Sequence, residues 1–113
     1  MSLGTASRKR LLYGVTLGPI LEELLFRGAA FSVIYVTTSS VKSLTRLRIA
    51  LAIIGSSLLF ALAHTKTVGI PLFLFFGTGT LYAMMRWRSN STATAALMHG
   101  TYNAVIALAM LRA

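Results

Sequence analysis

The chain has 113 residues, of which 56% are hydrophobic and 12% are charged, and its formal net charge is +9. Soluble domains carry roughly 25% charged residues, so this composition excludes an ordinary soluble domain and indicates lipid surroundings. The length fits one domain. Because cysteine is absent, disulfides and cysteine-ligated metals are excluded.

The positive charges lie in short clusters between apolar segments. These clusters are Arg8–Arg10, Lys42–Arg48, Lys66, Arg86–Arg88 and Arg112. Such clusters are typical of anchors that flank membrane helices, and no RNA- or DNA-binding motif accompanies them. We therefore expect membrane lipid as a partner and no nucleic acid. Five cations fall on each side of the predicted bundle, so charge leaves the orientation open.

Four apolar segments follow one another along the chain: Leu11–Thr37, Leu47–Ala63, Val68–Trp87 and Thr92–Leu111. About 20 residues cross a bilayer as a helix, and only helices satisfy the backbone of such segments in lipid. We predict an all-α fold, a polytopic membrane bundle of four transmembrane helices with short loops. Residues 1–113 form a single domain, with a basic tail over 1–10 and the membrane helices over 11–111.

The first segment contains PILEELLFRG, which holds both acidic residues of the chain, Glu22 and Glu23. A charge at the centre of a membrane helix costs about 2.5 to 3.5 kcal/mol, so each needs a reason. Glu23 and Arg27 have the spacing of a helical ion pair. Glu22 lies about 100° around the helix and has no local partner. Pro19 predicts a break or kink, with Pro19 as the first residue of the part carrying Glu22.

Small residues and a serine predict how the helices pack and begin. Glycines recur at Gly14, Gly18, Gly77 and Gly79, where we expect neighbouring backbones to approach closely. Ser89 or Ser91 is expected to cap the fourth helix.

Both histidines of the chain lie within or at the edge of apolar segments. His64 ends the second segment in FALAH, and His99 precedes Asn103 by one turn in HGTYN. Counting about 1.5 Å per residue from the helix ends puts His99 and Asn103 near the depth of Glu22, and His64 lies near the same side of the bundle, at the exit of the second helix. We expect the four to converge in a cavity that opens toward the membrane face holding the N-terminus.

Three motifs in this order resemble those of the CPBP intramembrane proteases, also called the Abi or CAAX-protease family. They are EExxxR (Glu22, Glu23, Arg27), FxxxH (Phe60, His64) and HxxxN (His99, Asn103). The resemblance covers residues 14–104. It implies peptide-bond hydrolysis within the membrane, with either a CAAX-type or a bacteriocin or leader-peptide substrate. Many members carry further helices before the first motif, so this chain is expected to be a minimal core or a fragment.

The absence of cysteine and of a recognisable serine nucleophile favours an activated water. Glu22 is predicted to be the general base, with His64 holding the water. His99 and Asn103 are predicted to donate to the oxyanion. Glu23 and Arg27 would be structural, and Phe60 would pack behind His64.

A zinc-dependent version stays open. Glu22, His64 and His99 would then be the three metal ligands, leaving one position for water. The pattern HExxH is absent, so metal-free chemistry without a cofactor is favoured and zinc is the alternative.

Two other functions are considered. One is a small proton-coupled multidrug transporter, which would use Glu22 alone. The other is a non-catalytic bacteriocin-immunity or scaffold protein of the same fold. The enzyme is favoured because only catalysis explains all three motifs. We expect a multi-pass protein of a prokaryotic plasma membrane that acts on a membrane-associated peptide or protein, with its oligomeric state open.

Overall fold

The computed structural model describes residues 4–68 and 71–112, without the side chains of 41–43 and 65–68. Every regular element in these residues is helical, which confirms the all-α prediction. In chain order the elements are α1 (Thr5–Val15), α2 (Leu17–Glu23), a π-helical segment (Leu24–Ala30), α3 (Phe31–Thr37), a 3-10 segment (Ser39–Leu44), α4 (Thr45–Val68), α5 (Leu72–Ser89) and α6 (Thr92–Arg112).

Two of the described helices are long and apolar enough to cross a membrane. They cover Thr45–His64 within α4 and Thr92–Arg112 in α6. Both begin at the same end of the bundle, because α5 runs back between them. The first apolar segment is divided into several helical pieces, so the arrangement with four membrane spans stays a prediction.

The break in the first segment lies at Thr16, three residues before the proline that causes it. Thr16 has φ −115° and ψ −82°, outside the helical region, and separates α1 from α2. A proline ring clashes with the carbonyl four residues earlier, which here belongs to Val15, so the helix cannot continue through that turn. Pro19 is therefore the third residue of α2, and its prediction as the first residue is wrong by two positions.

Helix α6 packs against the backbone carbonyls next to this break. The Asn103 side chain donates from Nδ2 to the carbonyl oxygen of Gly14 at 2.8 Å. A Cβ atom on Gly100 would lie 2.7 Å from the carbonyl oxygen of Val15. The Val15 carbonyl has no helical N–H donor, because the residue four positions later is Pro19. Only glycine at position 100 lets α6 approach this carbonyl so closely.

The glycines predicted to mediate close approach behave differently from one another. Gly79 is buried, and a Cβ there would lie 3.0 Å from the side chains of Arg27 and Phe60. Gly14 and Gly77 have no atom within 4 Å of the same position. The prediction that another helix approaches closely at both Gly14 and Gly18 is therefore wrong. The space where a Cβ atom of Gly18 would lie is occupied by Tyr13 of the same segment.

A two-residue turn sets α5 and α6 side by side. Asn90 has φ 52° and ends α5 in the left-handed conformation, which asparagine tolerates better than most residues. The Thr94 N–H donates to Ser91 Oγ at 3.4 Å, so Ser91 is the predicted cap of the last helix. This tight connection aligns His99 on α6 with the middle of α5.

Candidate active site

Glu22 lies between the two imidazole rings of the chain. Its Oε1 is 3.2 Å from Nε2 of His64, and its Oε2 is 3.5 Å from Nε2 of His99. The Glu22 side chain is 35% exposed, against 20% for His64 and 5% for His99. Residues from α2, α4 and α6 thus meet at one carboxylate, as helix depth predicted.

The second nitrogen of each ring faces an oxygen that can only accept a hydrogen bond. His64 Nδ1 lies 2.7 Å from the carbonyl oxygen of Phe60, and His99 Nδ1 lies 3.1 Å from Oε2 of Glu23. Each Nδ1 therefore carries the proton and donates. In the neutral tautomer Nε2 of both rings is an acceptor, as is the Glu22 carboxylate that it faces, so a group that donates hydrogen bonds is needed to bridge them.

Aromatic side chains hold the two imidazoles in place. The Phe60 ring lies 4.2 Å from the His64 ring, centroid to centroid, and is the residue that the sequence places behind it. The Tyr82 ring stacks on His99 at 4.6 Å with an interplanar angle of 16°. Tyr82 is 2% exposed, so this contact excludes water from one face of His99.

Glu23 and Arg27 form the ion pair expected from their spacing. Arg27 Nη1 donates to Glu23 Oε2 at 2.8 Å, and both side chains are 0% exposed. The same carboxylate oxygen accepts from His99. The pair therefore connects the first segment to α6 through a ring nitrogen.

The guanidinium of Arg27 is enclosed by α4 and α5. Nη2 donates to the carbonyl oxygen of Gly79. The guanidinium carbon lies 4.6 Å from the centre of the Phe60 ring and 5.4 Å from that of Tyr82. A cation between two aromatic faces in a dry site gains attraction from both, which fixes the π-helical segment against the hairpin of α4 and α5.

Asn103 occupies a different place from the other three predicted catalytic residues. It lies one turn beyond His99 on α6, and its amide donates to Gly14. It also lines a cavity of about 550 Å³ between α1 and α6. The structure thus gathers Glu22, His64 and His99, and it gives Asn103 a partner on α1.

Tyr82 is the residue of this site that the motifs do not contain. It lies one turn after Gly79 on α5, and both are buried against the ion pair. The small size of Gly79 predicts a close approach of helices at that position. Nothing in the sequence indicates which aromatic residue stacks on His99. The π-helical form of Leu24–Ala30 also had no signal, although such segments are frequent at functional sites.

The candidate site contains side chains of the types that bind metals. Imidazole nitrogen and carboxylate oxygen are ligands that zinc takes in proteins. Among the residues that the structure describes, no three histidine or acidic side chains are arranged to hold a metal ion. Instead, Glu22 contacts both rings directly.

The family assignment comes from comparison with known protein families. Residues 6–105 match the family described as type II CAAX prenyl endopeptidase, Rce1-like. The chain belongs to this family. The family is one of membrane-embedded proteases, in agreement with the three motifs and with the apolar helices. Membership of this family does not favour a transporter or a non-catalytic protein. Neither the curated proteins nor the solved structures contain a significant match.

Proposed function

We propose that the protein is an intramembrane endopeptidase that hydrolyses a peptide bond with a water activated by Glu22. The observation that carries this proposal is the position of Glu22, with one carboxylate oxygen at each of two imidazole Nε2 atoms. A carboxylate of purely structural use would be expected to pair with Arg27. That cation is already bonded to Glu23.

The water would be held by two acceptors. Oε1 of Glu22 and Nε2 of His64 are 3.2 Å apart, so one water can donate a hydrogen to each of them at ordinary hydrogen-bond lengths. Both O–H bonds of the water are then engaged, and the oxygen lone pair is left for the scissile carbonyl. Removal of a proton by Glu22 as the peptide carbon is attacked is general base catalysis.

His99 would serve the later part of the reaction. Its Nε2 lies 3.5 Å from Oε2 of Glu22, so a proton taken from water has a short path to this ring. The resulting imidazolium would donate to the oxyanion and then supply the proton that the leaving amine needs. Glu23 accepts from the opposite nitrogen at 3.1 Å, which fixes the orientation of the ring.

Asn103 would be the second oxyanion donor. Its amide has two N–H bonds, and the bond to Gly14 uses one of them. The other would remain for substrate at a position one helical turn from His99. Phe60 and Glu23 would be positioning residues, because they contact the imidazoles, and Arg27 would act through its bond to Glu23.

A zinc-dependent mechanism is tested separately. If a metal is used, Glu22, His64 and His99 would hold it, and it would lower the pKa of its bound water. Metal analysis of the purified chain, with activity measured before and after chelation, decides this point. One tightly bound zinc per chain would overturn the metal-free proposal.

The substrate class follows from the family and from the surroundings of the site. We propose a membrane-associated peptide or protein, either CAAX-type or a bacteriocin or leader-peptide precursor, cleaved in the plasma membrane of a prokaryote. His64 and His99 lie on the two helices that are apolar enough to cross a membrane, which supports a lipid-embedded substrate.

Comparative mass spectrometry of membrane peptides tests the function and names the substrate. Cells carrying the parent chain are compared with cells carrying Glu22→Gln, which keeps the size of the side chain but cannot take the proton. Arg88→Gln, on the exposed end of α5, controls for expression and charge. A peptide produced by the parent and by Arg88→Gln but not by Glu22→Gln supports the proposal. The same peptides in all three samples contradict it.

A further inference from the structure

A further cavity, separate from the one between α1 and α6, lies at the end of the bundle where α4 and α6 begin. It has a volume of about 390 Å³ and is bounded by α3, α4 and α5. Ligand pockets in proteins span roughly 300 to 1,000 Å³. Its walls include Phe31, Ser32, Tyr35, Ile49, Arg86 and Asn90. Arg86 follows Gly79 by seven residues on α5, so the cavity is about 10 Å farther along that helix than the Arg27 contact.

Among the residues that the structure describes, Arg86 in this cavity has no carboxylate partner. Its guanidinium carbon lies 5.0 Å from the centre of the Phe31 ring, and Nη1 donates to Oδ1 of Asn90 at 3.3 Å. The two acidic residues of the chain are Glu22 and Glu23, and both belong to the candidate active site. The C-terminus of α5 supplies only about half a negative charge. The charge of Arg86 is therefore only partly compensated within the protein.

The surroundings of the cavity increase the positive potential. Arg48 lies 4.1 Å from the centre of the Tyr35 ring and donates to the Tyr35 carbonyl at 2.8 Å. Arg46 and Arg88 are exposed at the same end but do not line the cavity. Arg86 in the wall and Arg48 against the Tyr35 ring, without an acidic residue between them, attract an anion.

The position of the cavity along the helices corresponds to the headgroup level of a bilayer. The two helices able to cross a membrane begin at Thr45 and Thr92, which border this end. Trp87 lines the cavity and is 46% exposed, and tryptophan is enriched where hydrocarbon meets headgroups. Ile49 gives the cavity an apolar side toward the span.

We propose that this cavity binds the phosphate of an anionic phospholipid headgroup. The planar guanidinium of Arg86, held over Phe31, would donate two hydrogen bonds to phosphate oxygens, and the Ser32 hydroxyl would donate a third. The acyl chains would continue along the apolar side of the cavity toward the span. This proposal does not depend on proteolysis, because none of these residues belongs to the candidate active site.

Lipid retention by the purified full chain tests the proposal. The chain is placed in nanodiscs of phosphatidylcholine mixed with phosphatidylglycerol, extracted gently, and its retained lipids are counted by native mass spectrometry. The variants are Arg86→Gln and the matched control Arg88→Gln, which removes the same charge from an exposed position two residues away. Thermal unfolding is followed in the mixed nanodiscs and in parallel samples of phosphatidylcholine alone, with and without inorganic phosphate.

The expected result is that the parent chain and Arg88→Gln retain phosphatidylglycerol over phosphatidylcholine, and that Arg86→Gln reduces this preference roughly tenfold, or about 1.4 kcal/mol. Equal losses in both variants would indicate diffuse surface charge and overturn the proposal. The same holds for a parent chain without any preference, a result that needs no variant to fold. Stabilisation by inorganic phosphate as large as that by phosphatidylglycerol would assign the cavity to a soluble anion instead.

Discussion

Glu22 and Glu23 are adjacent in the chain, yet their carboxylates have opposite surroundings. The Glu23 side of α2 is closed: the carboxylate is 0% exposed and bonded to Arg27 and His99. The Glu22 side is partly open: the carboxylate is 35% exposed, and the described side chains that it faces are the two imidazoles. One helical step of about 100° separates these two environments.

This difference shows how one motif can supply two carboxylates with separate surroundings. The Glu23 carboxylate is held by a buried cation. Among the side chains that the structure describes, the partners of the Glu22 carboxylate are the two imidazole rings. His99 contacts both sides, through Nδ1 to Glu23 and through Nε2 to Glu22.

The largest expected effect comes from removing the cation of the closed side. Arg27→Met leaves the Glu23 carboxylate buried without its cation, and we expect the free energy of unfolding to fall by about 3 to 5 kcal/mol. Unfolding of the purified chain in mixed detergent micelles measures this. The matched change on the open side, Glu22→Gln, should cost less than about 1 kcal/mol.

A double variant sharpens this prediction. When Glu23→Gln is combined with Arg27→Met, no charge of the pair remains, so the double loss should be smaller than the sum of the two single losses. Equal stability losses for Arg27→Met and Glu22→Gln would mean that burial does not distinguish the two sides.

The second prediction tests whether Asn103 takes part in catalysis or only in helix packing. Asn103→Ala removes both amide N–H bonds, so kcat on the identified peptide should fall roughly 100- to 1,000-fold. The lost bond to Gly14 should lower the free energy of unfolding by only about 1 kcal/mol. Thr101→Ala, whose hydroxyl bonds within α6, is the control. A drop in kcat below tenfold would restrict Asn103 to joining α6 and α1.

The third prediction concerns the contact that places His99. Gly100→Ala puts a methyl group 2.7 Å from the Val15 carbonyl, so the helices must separate, at about 1 to 3 kcal/mol of unfolding free energy. Gly77→Ala meets no atom within 4 Å, and better helix propensity should leave it neutral or more stable by up to about 1 kcal/mol. Similar values for the two variants would exclude a tight crossing at residue 100.

The smallest expected effect is at Tyr82, which we regard as a positioning residue for His99. Tyr82→Leu removes the stacked ring, an interaction of about 0.5 to 1.5 kcal/mol, so kcat should fall roughly two- to tenfold while KM changes little. Tyr82→Phe keeps the ring and should restore kcat. If Phe and Leu behave alike at this position, the hydroxyl and not the stacking is what matters.

The parts of the site that could be predicted from sequence depend on regular helix geometry alone. The spacing of Glu23 and Arg27 predicted their ion pair, and the rise per residue predicted a similar depth for Glu22 and His99, with His64 on the same side of the bundle. Such inferences succeed because a helix has one pitch, whatever surrounds it.

The remainder depends on contacts between distant segments. Tyr82 meets His99 because Gly79 lets α5 approach Arg27, which sets the rotation of α5 about its axis. The amide of Asn103 bonds to a carbonyl on α1 that is accessible only because the helix breaks at Thr16. The π-helical segment differs from an α-helix by one residue per hydrogen bond, and no residue type in LLFRGAA requires it.

The break at Thr16 makes α1 and α6 depend on each other during folding. The Val15 carbonyl has no N–H donor one turn later because that residue is Pro19, and the groups packed against this part of the backbone, Asn103 and Gly100, belong to α6. Polar backbone atoms left uncovered in lipid are costly. We therefore expect α1 and α6 to reach their final positions in one step, so that a change that loosens either helix also loosens the other.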